Sequence, residues 1–383
     1  MKRRKFVAIS FVWIFILFAG LYSAILMYIH MGKDDTAIEE ISYSYLESEY
    51  TNSLVGKNLF IDINGLFSKL LGMKGLYSSH GVYALNGEYL VNCSPCTSTD
   101  YEYEEIVSFK EWLKEKEINF IYVNYPTKYL DDDIMEDNFG VKSYSNRNAD
   151  LLLKRIREAD VNVIDLREEL VRENMDIYSM FYKTDHHWTT SSGVWAAKNI
   201  SKGLNTFCDY NIDLSTFDLS NFDIIEYETC WLGEQGRKIG ATYVGLDDFT
   251  EIKPNYETHF SFDGWTGSFD DLVNDDIYVS DEDIYTVPSW HYSYIQTHVV
   301  NEDVGEGKVL VLGDSYNQVV IPFLALAVNE IDVKILRDGM FDGSIRDYIE
   351  EKGFDTVIVS YSLPTIGGHD NPYSVNYKLF TFE

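Results

Sequence analysis

Two short segments of the chain carry residue types that can transfer an acyl group. The first is residues 183–190, which contain Asp185, His186 and His187 in succession. Side chains at i and i+2 of an extended backbone point to the same side, so we expect Asp185 and His187 to share a face and His186 to point away. A carboxylate beside an imidazole holds it in one tautomer, as a general base requires. Asp185 and His187 are therefore the candidate orienting acid and base.

The second segment is residues 313–317, with the sequence Gly-Asp-Ser-Tyr-Asn, which follow an apolar run at 308–312. A strand-to-helix turn places its residues at the carboxyl end of a parallel sheet, where such folds bind ligands. Gly313 permits a sharp turn, and loop amides with a helix N-terminus can bind a developing oxyanion. A serine nucleophile needs an adjacent base, so we pair Ser315 with His187.

The residue types alone leave two other interpretations open. Aspartate and histidine are common metal ligands, so Asp185, His186 and His187 also fit a metal cluster. Adjacent histidines diverge on a strand, however, and no HxxxH or HxH pattern supplies further ligands. A Gly-Asp-Ser sequence is also a common turn without any catalytic role.

Alternating helix and strand patterns surround these two segments. Short β-branched runs alternate with amphipathic stretches, which favours a mostly parallel sheet flanked by helices. A hairpin is predicted at 81–91 with Asn86-Gly87 as its two-residue turn, and residues 205–305 form an irregular insertion within one domain. The predicted strands are 118–123, 161–166, 308–312, 333–336 and 355–360, and the predicted helices are 106–117, 150–159, 190–204 and 343–352.

The N-terminus has the pattern of a single membrane-spanning signal anchor. Residues 1–5 are basic apart from Met1, and an apolar run covers 6–29, which exceeds the roughly 20 residues needed to cross a bilayer. We expect a cytoplasmic tip and transmembrane helix at 1–32, a stalk at 33–55 and a catalytic domain at 56–383. The positive-inside bias places that domain outside the cell membrane. A cleaved signal peptide is the alternative.

The charge balance of the chain excludes one class of partner. The chain has 62 Asp and Glu against 31 Lys and Arg, a net charge of −31. Nucleic-acid binding depends on neutralising phosphates with basic side chains, so a nucleic-acid partner is not expected.

Four cysteines are compatible with disulfides in an extracytoplasmic domain. Cys93 and Cys96 form a CxxC pair, but no second CxxC completes a zinc site, and Ser94-Pro95 places the pair in a polar turn. We therefore expect one or two structural disulfides among Cys93, Cys96, Cys208 and Cys230.

The DHHW sequence at 185–188 together with GDSY at 313–316 resembles the bacterial DHHW protein family, which is similar to the SGNH-like O-acetyltransferases of alginate and other exopolysaccharides. The likeness extends over nearly the whole predicted ectodomain. It includes the segments 81–91, 123–128, 161–166 and 240–248.

This resemblance implies an SGNH-hydrolase-like α/β fold and a role for each matching residue. Ser315 would be the nucleophile, His187 the base and Asp185 its orienter. The predicted oxyanion and substrate-binding residues are Gly313, Tyr316, Asn317 and Lys128, with a plain surface lysine as the alternative for Lys128. The chain departs from the family around 232–238, so Arg237 receives no role.

The function implied is transfer of an acetyl group to a sugar hydroxyl of a cell-envelope or secreted polysaccharide, without a metal or cofactor. A membrane-bound O-acyltransferase partner that supplies acetyl groups is implied by the family. Water as acceptor would make the same site an esterase. A non-catalytic glycan-binding or envelope-assembly protein and a metal-dependent hydrolase are the rival classes.

Overall fold

The computed structural model describes residues 17–18, 20–22, 24–25, 50, 54–77, 81–272, 284–285, 297–305, 307–337 and 339–383. The predicted membrane anchor and stalk fall largely outside these residues, and both stay predictions. Among the described helices, none combines the length and the hydropathy needed to cross a bilayer.

A central eight-stranded sheet organises the described part of the chain. Its order is β5-β4-β13-β11-β12-β10-β8-β9, and the first five strands are parallel while the last three join through antiparallel pairs. A mostly parallel sheet is thus confirmed. The strands are β1 (Gly75–Tyr77), β2 (Val82–Leu85), β3 (Tyr89–Asn92), β4 (Asn119–Tyr125), β5 (Asn162–Asp165), β6 (Phe222–Trp231), β7 (Asp247–Pro254), β8 (Phe260–Phe262), β9 (Trp265–Gly267), β10 (His298–Asn301), β11 (Lys308–Gly313), β12 (Glu330–Lys334) and β13 (Thr356–Ser362).

Helices cover both faces of the sheet. Alternate strand residues point to opposite sides, and the apolar ones on each side pack against helices. Val309 and Val311 pack into the core that includes α6, whereas Leu310 and Leu312 pack into the core that includes α2, α4 and α10. The described helices are α1 (Lys57–Leu70), α2 (Asp100–Glu115), α3 (Asp133–Phe139), α4 (Ser145–Glu158), α5 (Leu166–Arg172), α6 (Thr190–Phe207), α7 (Glu234–Ile239), α8 (Ala241–Val244), α9 (Ile321–Leu324) and α10 (Ile345–Lys352).

The predicted hairpin is present, with a loop one residue longer than expected. Glu88 N donates to Leu85 O at 3.1 Å, and Asn86 and Gly87 both have positive φ, as a turn with these central residues requires. Leu85 pairs with Tyr89, so three residues separate the paired ends. The hairpin, together with β1, forms a separate three-stranded sheet.

The predicted insertion is more regular than its composition indicates. Its first part forms the two-stranded β6-β7 sheet together with α7 and α8. Its last strands, β8 to β10, extend the central sheet through antiparallel pairs. Strand β10 pairs with β8 and β12, which are distant from it in sequence, and short polar and aromatic segments carry no local pattern that would predict this pairing.

The expectation of disulfides is wrong, because Cys93, Cys96, Cys208 and Cys230 are all unpaired. Cys208 caps the end of α6 and is buried among apolar side chains, whereas Cys96 is exposed to solvent. The Cys230 thiol donates to Tyr227 O within the β6 region. An even count of cysteines permits disulfides but does not bring the sulfur atoms together.

Candidate active site

Ser315 lies where β11 ends and a short 3-10 helix, Ser315–Val319, begins. Asp314 fixes this turn, since its carboxylate accepts from Tyr316 N at 3.0 Å and from Ser362 N at 2.8 Å. A Cβ on Gly313 would lie 2.8 Å from Asn317 Cγ, so the close approach of the turn requires glycine there. The turn thus holds Ser315 at the carboxyl end of the parallel strands, as predicted from the sequence.

Asn317 is used within the turn and not as the predicted oxyanion donor. Its Nδ2 donates to Ser360 O at 3.0 Å and to Asp314 O at 3.3 Å, while its Oδ1 accepts from Tyr125 OH at 2.6 Å. Both amide hydrogens therefore have backbone acceptors. Asn317 instead ties the serine turn to β4 and β13, a correction to the sequence-based assignment.

The structure brings Asp185, His187 and Ser315 into one hydrogen-bonded chain. His187 Nε2 lies 2.8 Å from Ser315 Oγ, and His187 Nδ1 lies 2.5 Å from Asp185 Oδ1. Asp185 is fully buried and His187 nearly so, whereas Ser315 is partly exposed. A carboxylate, an imidazole and a hydroxyl in this order can activate the hydroxyl as a nucleophile.

The backbone conformation that brings Asp185 to His187 differs from the predicted one. Residues 183–187 form successive bends rather than a strand, and Asp185 Oδ1 also accepts from His187 N at 2.9 Å. His186 does not point away, because its ring centroid lies 3.8 Å from that of His187 and its Nδ1 lies 3.5 Å from Asp185 Oδ1. Residues 183–187 do not alternate like a strand, because side-chain hydrogen bonds to nearby amides bend the backbone.

The insertion supplies support for Asp185 that sequence reasoning missed. Glu234 N donates to Asp185 Oδ2 at 2.6 Å, and Gly233 N donates to Thr184 Oγ1 at 2.7 Å. A Cβ on Gly233 would lie 2.8 Å from Asp185 Cα and 2.7 Å from Thr184 O. The departure of residues 232–238 from the family pattern was the only sequence signal that pointed to this segment.

Asp247 is a second buried carboxylate that sequence reasoning did not single out, although it lies within the family-like segment 240–248. It accepts from Lys183 N at 2.6 Å and from Thr184 N at 2.8 Å. These bonds satisfy two backbone amides at a bend of the chain. Asp247 thus fixes the two residues that immediately precede Asp185.

The pKa of Asp185 lies well below its usual range. Burial alone would raise this pKa, but the neighbouring imidazoles of His187 and His186 and the hydrogen bonds from His187 and Glu234 outweigh burial. Asp185 is therefore ionised at neutral pH and can stabilise an imidazolium at His187. Burial, followed by the charge of His187, lowers the pKa of His186.

Comparisons with known proteins show which family part of the chain resembles. The family model of the SGNH hydrolase-like domain of the acetyltransferase AlgX matches residues 89–211, which include Asp185 and His187. The resemblance to SGNH-like acetyltransferases is confirmed. The matched range ends before Ser315. The position of the serine turn is therefore known from the structure and not from the family match. No curated protein matches the chain significantly.

Solved structures share the fold of this chain. Bacillus cereus PatB1 is 17% identical, with a TM-score of 0.62 over 79% of this chain and 99% of that one. A DHHW family protein from Eubacterium siraeum is also 17% identical, with a TM-score of 0.58 over 77% of this chain and 94% of that one. PatB1 with a sulfonyl adduct gives a TM-score of 0.59 at 17% identity, over 79% and 97% of the two chains.

Lys128 and Tyr316, two further residues of the predicted site, make hydrogen bonds to the backbone. Lys128 is only 3% exposed, which excludes a surface lysine, and its Nζ donates to Leu90 O at 2.6 Å and Lys183 O at 3.2 Å. Burial lowers the pKa of Lys128 to about 7. Tyr316 OH donates to His186 O at 2.6 Å. Both side chains thus brace the Asp-His segment.

A small pocket is lined in part by His186 and Tyr316. Its volume is about 90 Å³, and its lining includes Leu90, Val91, Cys93, Lys128, His186 and Tyr316. His186 and Tyr316 are the sequence neighbours of His187 and Ser315. The pocket is thus lined by the residues next in sequence to His187 and Ser315, whereas its lining does not include Asp185, His187 or Ser315 themselves.

Asp185, His186 and His187 are also close enough to be considered as metal ligands, since their ligand atoms lie within 4.8 Å of one another. The Asp185 carboxylate, however, already accepts from His187 N, His187 Nδ1 and Glu234 N. His187 Nε2 faces Ser315 Oγ. A metal ion would have to displace these hydrogen bonds, so the geometry fits nucleophile activation better than metal binding.

Proposed function

We propose that the chain is an extracytoplasmic acyltransferase that O-acetylates a cell-envelope or secreted polysaccharide through Ser315, His187 and Asp185. The observation that carries the proposal is the continuous chain from Asp185 Oδ1 through His187 to Ser315 Oγ, with contacts of 2.5 and 2.8 Å. The similarity to an acetyltransferase domain supports acetyl transfer as the reaction class.

In the first half-reaction, Ser315 Oγ attacks the acetyl carbonyl while His187 Nε2 takes its proton. The buried carboxylate of Asp185 stabilises the imidazolium that forms on His187. Asp185 itself stays ionised throughout. Collapse of the tetrahedral intermediate breaks the bond to the leaving group, which takes the proton from His187 Nε2. An acetyl ester on Ser315 results.

In the second half-reaction, a sugar hydroxyl gives its proton to His187 Nε2 and attacks the acetyl ester. Ser315 leaves as an alkoxide and recovers the proton from His187. Water in place of the sugar would complete the reaction as an esterase, with the same residues in the same roles. The partly exposed Ser315 is accessible to either acceptor.

The Ser315 backbone amide is our candidate oxyanion donor. Tyr316 N already donates to Asp314 Oδ1 at 3.0 Å, and Asn317 N donates to Asp314 O at 3.1 Å. These two amides are therefore committed to the turn. A donor at the start of the 3-10 helix would stabilise the charge that develops on the carbonyl oxygen.

The acceptor, partner and location follow from the sequence-based hypothesis. A net charge of −31 disfavours a polyanionic acceptor, so a neutral glycan is the better candidate. The predicted anchor would hold the domain at the outer surface of the cell membrane, within reach of a membrane-bound O-acyltransferase that supplies acetyl groups.

The test is an assay of the full chain with an activated acetyl ester, with and without neutral oligosaccharides and with and without EDTA. We expect ester turnover that EDTA leaves unchanged, and acetylated sugar as product. Loss of activity with EDTA would indicate a metal-dependent hydrolase. Ester turnover without sugar acetylation would favour the esterase, and no turnover of any ester would favour a glycan-binding protein.

A further inference from the structure

Helix α1 presents an apolar surface to solvent. The exposed fractions of Leu59, Phe67 and Leu70 are 61%, 59% and 72%. At 100° per residue, the exposed apolar side chains of α1 fall within an arc of about 120°. We call this arc the apolar face of α1; its members are Leu59, Phe60, Ile63, Leu66, Phe67 and Leu70.

The opposite face of α1 holds the helix to the domain. Gly65 and Ser68 are the buried residues of α1, and a Cβ on Gly65 would lie 2.6 Å from Ile239 O. Asp62 Oδ1 accepts from Tyr285 OH at 2.6 Å, and Asp62 O accepts from Thr242 Oγ1 at 2.5 Å. These contacts fix the rotation of the helix about its axis.

This orientation is the reverse of the usual one for a surface helix. An amphipathic helix of a soluble domain buries its apolar stripe and exposes its polar residues. Here a glycine, a serine and an aspartate face the domain, and the side chains of the apolar face remain 42% to 72% exposed among the described residues. Contiguous exposed apolar surface of this kind marks an interaction site.

Charge and sequence position indicate what covers the apolar face. Residues 57–74 contain three lysines against one aspartate, whereas the chain as a whole carries −31. Lys69 and Lys74 are exposed, and Asp62 is turned to the domain. The segment follows the apolar run at 6–29 by fewer than 30 residues. Exposed lysines at the C-terminal end of an apolar helix face are suited to anionic lipid headgroups above acyl chains.

We propose that α1 lies in the outer interface of the membrane and docks the domain onto the bilayer. With 14 residues, α1 is too short to span, so it would lie in the membrane plane. The helix packs on α7, whose first residue, Glu234, donates its backbone N–H to Asp185. Docking through α1 would therefore orient the candidate active site relative to the bilayer.

The test uses the full chain in phosphatidylcholine vesicles, prepared with and without phosphatidylglycerol. The vesicles also contain a lipid with a photoactivatable acyl chain. Mass spectrometry locates the label. We expect label on the apolar face of α1, and more of it when phosphatidylglycerol is present. The double variant Phe67→Asp/Leu70→Asp should lose about tenfold or more of this label, because burial of one large apolar side chain changes an equilibrium about tenfold or more.

Val375→Asp is the matched control, because Val375 is 73% exposed and lies outside α1. It should leave the label on α1 unchanged, and both variants should retain turnover of a soluble activated ester. The proposal is wrong if α1 takes up no more label than residues 371–376. It is also wrong if crosslinking joins the α1 helices of two copies and protects them from the label.

Discussion

One carboxylate oxygen of Asp185 accepts two hydrogen bonds from His187, from the ring Nδ1 at 2.5 Å and from the backbone amide at 2.9 Å. The first bond sets the tautomer and the second sets the backbone that carries the ring. Because Asp185 Oδ2 is held by Glu234 N, the carboxylate cannot rotate without breaking a bond. The imidazole is thus fixed with Nε2 towards Ser315 before any substrate binds.

Asp185→Asn should lower kcat for an activated acetyl ester by roughly 10⁴-fold, because an amide can hold the imidazole in the wrong tautomer. The matched control is His186→Gln, since the His186 ring lies against His187, whereas it is His187 Nε2 that accepts from Ser315 Oγ. We expect His186→Gln to retain most of the activity at equal folding by circular dichroism. If the control variant is the inactive one, the base has been assigned to the wrong histidine.

Gly233→Ala should reduce both kcat and thermal stability, because the new Cβ would approach Asp185 Cα and Thr184 O within 3 Å. Overpacking of this kind costs about 1–3 kcal/mol in the free energy of unfolding. Gly305→Ala is the control, since a Cβ there meets no atom within 4 Å. Denaturant unfolding and ester kinetics of both variants would check this. If the two variants have the same kcat and the same free energy of unfolding, Gly233 does not support Asp185.

The parts of the site that depend on local sequence could be predicted. The serine turn follows from a glycine after an apolar strand, and the helix predicted at 190–204 is present as α6. The supports from Gly233, Glu234 and Asp247 could not be predicted, because they join segments 49 to 64 residues apart that carry no shared pattern. The bend at Asp185 was also not predicted. The expectation of an extended backbone leaves out side-chain hydrogen bonds to nearby amides, which bend the chain.

All four cysteines should react with a thiol reagent when the protein is denatured without reduction, because none of them is paired. In the folded protein, Cys96 should react first, since it is exposed. Cys208 should react slowly, because burial raises its pKa to about 11 and keeps the thiol protonated. Mass spectrometry of the labelled peptides gives the order, and fewer than four labelled cysteines after denaturation would show that a disulfide forms.

Lys128 should make the stability of the protein rise with pH above neutrality. Burial lowers its pKa to about 7, so between pH 7 and its unfolded pKa of about 10.4 the unfolded chain binds more protons than the folded one. Stability is therefore gained as pH rises through this window, by an amount on the order of several kcal/mol. Lys128→Met should remove this dependence in urea unfolding at about pH 7 and pH 9.5. An unchanged slope would mean that Lys128 titrates normally.

The most direct test of the account is to trap the acetyl group on the enzyme. The full chain is mixed with an activated acetyl ester, quenched in acid within the first turnover and digested for mass spectrometry. We expect one acetyl group on Ser315, absent from Ser315→Ala and strongly reduced in His187→Ala. An acetyl group found on another residue, such as Lys128, or turnover that persists in Ser315→Ala, would contradict it.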